Sequence, residues 1–158
     1  MKPSAEDQVR FLTNLQRLLT EGQFVATYKY ALLLALADIA IESGDDSGDR
    51  LSISTRSIAE KFVEYYWRQS LPYIPKHSVG GVLRQNTGRQ AEVIGHVLAI
   101  RSGESSLAAV KRSKKQWSAL VTPVDAVVRK MPLWKLQTVG RTQLEFLYEQ
   151  AVMEQPSN

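Results

Sequence analysis

The sequence predicts a mostly α-helical fold, and three observations carry that expectation. Apolar residues recur at three-four spacing along much of the chain, as at Val9, Leu12, Leu15, Leu18 and Leu19. Helix-starting Ser and Thr and helix-stopping Gly punctuate those stretches, as at Gly22, Thr55, Thr87 and Gly103. Apolar–polar alternation, the mark of a strand, is confined to Leu51-Ser-Ile-Ser54. The chain has 158 residues, 44% hydrophobic and 23% charged. That suits one compact multi-helix domain over 1–158, with at most one or two short strands.

Taken in order, residues 6–21 form an amphipathic helix that Gly22 ends. Residues 24–42 form a second, apolar on nearly every side at Ala31 to Leu36, so it is expected to run through the core, with Tyr28 and Lys29 near the surface. Residues 43–49, Ser-Gly-Asp-Asp-Ser-Gly-Asp, are a turn-rich loop. Their aspartates do not make a calcium loop, because Arg50 and Arg56 stand where glycine and a bidentate glutamate are needed. After the extended Leu51–Ser54, Thr55 or Ser57 caps a helix with Ile58, Ala59, Phe62, Val63 and Tyr66 on its buried face. An extended piece leading into such a helix is also how part of a winged helix-turn-helix domain can begin.

That third helix ends near Gln69, before the proline-stiffened Leu71-Pro-Tyr-Ile-Pro75. Thr87 caps a fourth helix to Arg101, and Ser105 or Ser106 caps a fifth through Leu107, Val110, Trp117 and Leu120. Thr122-Pro123 places proline at the first position of a sixth, to Lys130. Residues 131–136 read as irregular, and 141–153 as a final helix with Leu144, Phe146, Leu147 and Tyr148.

Several functional classes are excluded by composition. The chain has no cysteine, so disulfides, thiolate metal sites and thiol nucleophiles are out. His77 and His96 are the only histidines, too few for a multi-histidine centre. There is no Walker loop, since Gly80, Gly81 and Gly88 lack the lysine and the spacing. Glu60 and Glu64, flanked by Lys61 and Arg68, read as helix ion pairs. The most apolar stretch, Tyr30 to Ile41, is short of the roughly twenty residues a membrane span needs. A cytoplasmic chain with no cofactor and no membrane association is expected.

The net charge of +4 is unevenly spread. Residues 1–50 carry −3, residues 68–115 carry +7, and the other stretches balance. A local cation surplus points to a polyanion, because phosphate binding scales with the cations that displace counterions. Two clusters lie in it. Arg84, Gln85, Asn86 and Arg89 sit at a helix front, suited to a phosphate or a base edge, or equally to a polar cap that fixes a loop. Lys111, Arg112, Lys114 and Lys115 suit a nucleic-acid backbone, or a solvated helix face. Among the aromatics, Tyr65 or Trp67 offers a stacking platform and Tyr66 faces the core. Tyr65, Trp67, Trp117 and Trp134, if exposed, would instead suit a docking or dimerisation surface.

The strings FVATYKYALLLALADIAIE, STRSIAEKFVEYYWRQ, PY and LRQNTGRQAEVI, in that order, resemble the N-terminal region of bacterial HNH endonuclease-family proteins. The likeness covers Phe11 to Leu98, and more weakly, through MPLWKLQ and FLYE, as far as Tyr148. It implies a helical accessory domain of a DNA-cutting protein used against foreign or modified DNA. An HNH site needs histidines and an asparagine on a ββα element, and neither His77 nor His96 lies in such a setting. No catalytic residue therefore carries over. The expectation is a non-catalytic DNA-targeting domain, either the N-terminal part of a longer endonuclease or the companion of a separate nuclease. The other expectation is a homodimer or nuclease-docking module.

Overall fold

The computed structural model describes residues 2–21, 27–45, 47–70, 90–101, 106–130 and 132–149. Within them the fold is mostly helical, with two short antiparallel strands. The elements are α1 (Ala5–Glu21), α2 (Tyr28–Ser43), α3 (Thr55–Gln69), α4 (Gln90–Arg101), α5 (Leu107–Arg112), α6 (Lys114–Lys130) and α7 (Pro132–Lys135), followed by β1 (Thr138–Val139) and β2 (Thr142–Gln143). The chain divides into two units, residues 1–52 with 129–158, and residues 53–128.

In the first unit, α1 starts where Ser4 and Asp7 cap each other. The Ser4 hydroxyl accepts the Asp7 N–H at 3.1 Å, and the Asp7 carboxylate accepts the Ser4 N–H at 3.1 Å. The Ser4 hydroxyl, then its backbone N–H, holds the Asp7 carboxyl below its ordinary range. Leu18 is the one side chain of α1 that is fully buried. Helix α2 packs on α7, and α1 on β1. Two expectations for α2 are corrected. Tyr28 is buried and Lys29 half-buried, because Tyr28 lies on the face of α2 that is buried with Leu32, Ala35 and Ile39. The opposite face does not run through the core: Tyr30, Leu34 and Ile41 are 53%, 50% and 82% exposed.

The end of this unit departs most from expectation. Residues 141–143 belong to a two-residue hairpin, with Val139 opposite Thr142, and no helix follows as far as 149. Gly140, at φ 59°, takes the left-handed first position of the loop that such a hairpin requires. Residues 144–149 then run in irregular form over Gln137, whose side chain is fully buried. Gln137 Oε1 accepts the N–H groups of Phe146, Leu147 and Tyr148 at 2.9, 2.7 and 3.3 Å, and Nε2 donates to Tyr148 O at 2.9 Å. One amide thus replaces the helical hydrogen bonds that this segment forgoes. Phe146 also meets Phe11 edge to face at 5.5 Å, and the Tyr148 hydroxyl donates to Leu133 O at 2.5 Å. Residues 132–135, expected to be irregular, form the single turn α7.

In the second unit, Ser54 is extended, but neither it nor Ile53 pairs with a strand among the described residues. Ser54, rather than Thr55 or Ser57, caps α3, its hydroxyl accepting the Ser57 N–H at 3.0 Å. Ile58, Ala59, Phe62, Val63, Tyr66 and Trp67 are buried, α3 packs on α4, and Val93, Ile94 and Val97 of α4 are buried as well. The start expected at Thr87 lies outside the described residues. The helix expected from 105 or 106 to 120 is broken at Ser113, whose backbone is extended at φ −87°, ψ 99°. Conversely, Pro123 does not open a helix: it lies inside α6. A proline there removes one backbone donor, yet the apolar face of Leu120, Val121, Val124, Val127 and Val128 is buried on both sides of it. Burial of that continuous face outweighs the lost hydrogen bond. The two strands belong to the first unit, and among the described residues of 53–128 there is no strand.

Candidate nucleic-acid interface

The second unit carries the positive charge. By sequence it holds a net +6, whereas the first holds −2. Its structure sorts the cations of the 68–115 surplus into those used by the fold and those offered to solvent.

Arg101 belongs to the fold. Its Nη1 donates to Trp67 O at 3.1 Å and to Ser70 Oγ at 2.7 Å, satisfying the C-terminal end of α3. Its guanidinium also lies 5.4 Å from the centre of the Trp67 ring. Trp67 is therefore buried and is no stacking platform, a correction that also removes it from the exposed aromatics of the docking reading. Tyr65, Trp117 and Trp134 are half-buried.

The basic run straddles the α5–α6 junction. Ser106 caps α5 by accepting the Ala109 N–H at 3.2 Å, and after six residues Ser113 turns the chain out of the helix. The Ser113 carbonyl then accepts the Trp117 N–H at 2.9 Å and starts α6. Four cations flank this break, and they do not have the same surroundings.

Lys111 turns toward α3. Its ammonium pairs with the Glu64 carboxylate and sits 5.4 Å from the centre of the Trp117 ring. Trp117 in turn donates its indole N–H to Glu60 Oε1 at 3.3 Å, and Glu60 pairs with Arg56 at 3.7 Å. Glu60 and Glu64 are thus anchors for the α5–α6 junction, in addition to any pairing within α3. The sequence held no signal for this, since Glu64 and Lys111 lie 47 positions apart.

Arg112, Lys114 and Lys115 are exposed, and none of them has an ion pair or hydrogen-bond partner among the described residues. Chain geometry alone keeps their Cα atoms within about 11 Å of one another. About 10 Å of duplex carries three phosphates on one strand, at roughly 3.4 Å each. Lys114 and Lys115 stand in the first turn of α6, where no acidic side chain accompanies them. That turn is the positive end of the helix dipole, so each cation there is disfavoured by about 0.3–1 kcal/mol until an anion approaches. Arg68, one helical turn beyond Glu64 on α3, is also exposed.

The other expected cluster, Arg84, Gln85, Asn86 and Arg89, lies outside the described residues, as does His77. His96 is half-buried on α4. Among the described residues no group of three or more His, Asp or Glu is placed to hold a metal ion. No helix among them is long and apolar enough to cross a membrane.

No curated protein and no solved structure matches the chain. One family model does, described as a domain of unknown function, and its match runs through both units. With residues 8–155 matched, the chain belongs to that family, DUF8808.

Proposed function

We propose that the chain is a non-catalytic DNA-binding domain that grips the duplex by its phosphates and targets an HNH-type restriction or defence endonuclease in the cytoplasm. The observation that carries the binding part is the set Arg112, Lys114 and Lys115, three neighbouring cations exposed together with no partner among the described residues. Solvated cations that the fold does not use lose little on meeting phosphate and release its counterions. The nuclease part rests on the resemblance of residues 11–98. Arg84 and Arg89, with Gln85 and Asn86, would add a second grip and a base edge.

Three phosphate contacts give a slope of log K against log salt of about −2.7, steeper if Arg84 and Arg89 also engage. Labelled duplex should therefore bind about 40-fold more weakly at 200 mM than at 50 mM salt. Fluorescence anisotropy across that range, on duplex and single strands with and without modified bases, tests the reading. Binding that ignores salt, or none at 50 mM, overturns it.

A second reading is favoured by a different observation. Among the described residues the large hydrophobic side chains that are exposed, Val9, Phe11 and Leu12 on α1 and Tyr30, Leu34 and Ile41 on α2 among them, belong to the first unit. A groove beside α1 is lined by Pro3, Phe11, Leu12 and Phe146 together with the polar Asp7, Gln8, Arg10 and Asn14. Such a surface suits a homodimer or a nuclease subunit. A mass by light scattering that rises with concentration, with no DNA retention, would favour it.

A further inference from the structure

We infer that Glu64 sets the capacity of the phosphate site by holding Lys111 in reserve. The inference rests on the DNA-binding reading and adds to it the size of the site and the residue that limits it. Four cations lie between 111 and 115, and one of them, Lys111, is paired with an acid. Its ammonium is engaged from two sides, by the Glu64 carboxylate and by the face of the Trp117 ring.

The arrangement is better than an accidental surface pair. The two side chains are 41% and 33% exposed, so the pair is screened less than one fully in water. Glu60 holds Trp117 from the other side through the indole N–H, and Arg56 balances Glu60. To reach a phosphate, Lys111 would give up both its carboxylate and its ring contact, and would leave Glu64 uncompensated near the incoming polyanion. The exchange offers little, so the wild-type run presents three cations. Replacing Glu64 by its neutral isostere removes the stronger of the two holds and leaves the ring contact. Lys111 then joins Arg112, Lys114 and Lys115 as a fourth phosphate ligand.

The test compares wild type, Glu64→Gln and the double variant Glu64→Gln/Lys111→Met on one labelled duplex over the same salt range. Thermal melts confirm that Glu60 and Trp117 still seat the junction. Glu64→Gln is expected to bind more tightly at low salt, with a slope steeper by about 0.9. Its affinity should therefore fall about three- to four-fold more than the wild type's between 50 and 200 mM. The double variant is expected to return to the wild-type slope, which separates recruitment of Lys111 from simple relief of repulsion by Glu64. An unchanged slope in Glu64→Gln, or a double variant as steep as Glu64→Gln, overturns the inference while wild-type binding still stands. Salt-independent or absent binding in all three proteins overturns the DNA-binding reading and this inference with it.

Discussion

Replacing Gln137 by alanine is expected to destabilise the chain by about 3 kcal/mol, mainly through loss of buried hydrogen bonds. The amide is fully buried, and four backbone groups of residues 146–148 depend on it. Each such group left without a partner costs about 1–3 kcal/mol when water cannot reach it. Phe146, Leu147 and Tyr148 are only half-buried, so water recovers part of the loss. Gln137→Met separates the contributions, since methionine fills most of the volume but makes none of the four bonds. Urea unfolding should place the methionine variant between alanine and wild type, well short of the latter. A methionine variant as stable as wild type would show that filling the space, and not the amide, secures residues 144–149. The Arg50–Glu149 pair at the end of the segment cannot compensate. It is 2.8 Å long but largely exposed on both sides, and such pairs contribute little.

The second large effect concerns binding. Changing Arg112, Lys114 and Lys115 together to alanine is expected to make the salt slope shallower by about 2.7 and to remove most duplex affinity at 50 mM salt. Stability should move the other way, or not at all. Two cations leave the positive end of α6, and alanine is the best helix former. A melting temperature equal to or above that of wild type, beside lost binding, is the signature of side chains kept for a ligand. Structural residues would lose stability as well. Unchanged binding in this variant would shift the grip to Arg84 and Arg89, which an Arg84→Ala/Arg89→Ala variant reads directly.

The helices of both units show how far local pattern reaches. Helix α1 was legible from the three-four spacing of Val9, Leu12, Leu15, Leu18 and Leu19, although the structure buries Leu18 and leaves Val9, Leu12 and Leu19 exposed. Helix α3 was legible for the same reason, through Ile58, Phe62 and Tyr66. Helix α2 was legible as a helix but not in its burial, because a chain apolar on every side carries no indication of which side meets the core. Residues 144–148 looked helical, with Leu144, Leu147 and Tyr148 at the right spacing. They are not, because their N–H groups are taken by a glutamine seven or more positions upstream. The β-branched Thr138, Val139 and Thr142 around Gly140 were the local sign of the hairpin.

The fold class, the position of most helices and the stretch of chain that carries the cations could be read from the order of residues alone, because spacing and charge are properties of neighbours. Which of the described cations stay open to solvent depended on the folded chain. Arg101 closes the end of α3, Lys111 answers Glu64, and Arg112, Lys114 and Lys115 are left exposed. An ion pair acts over a few ångströms of space and is indifferent to distance along the chain.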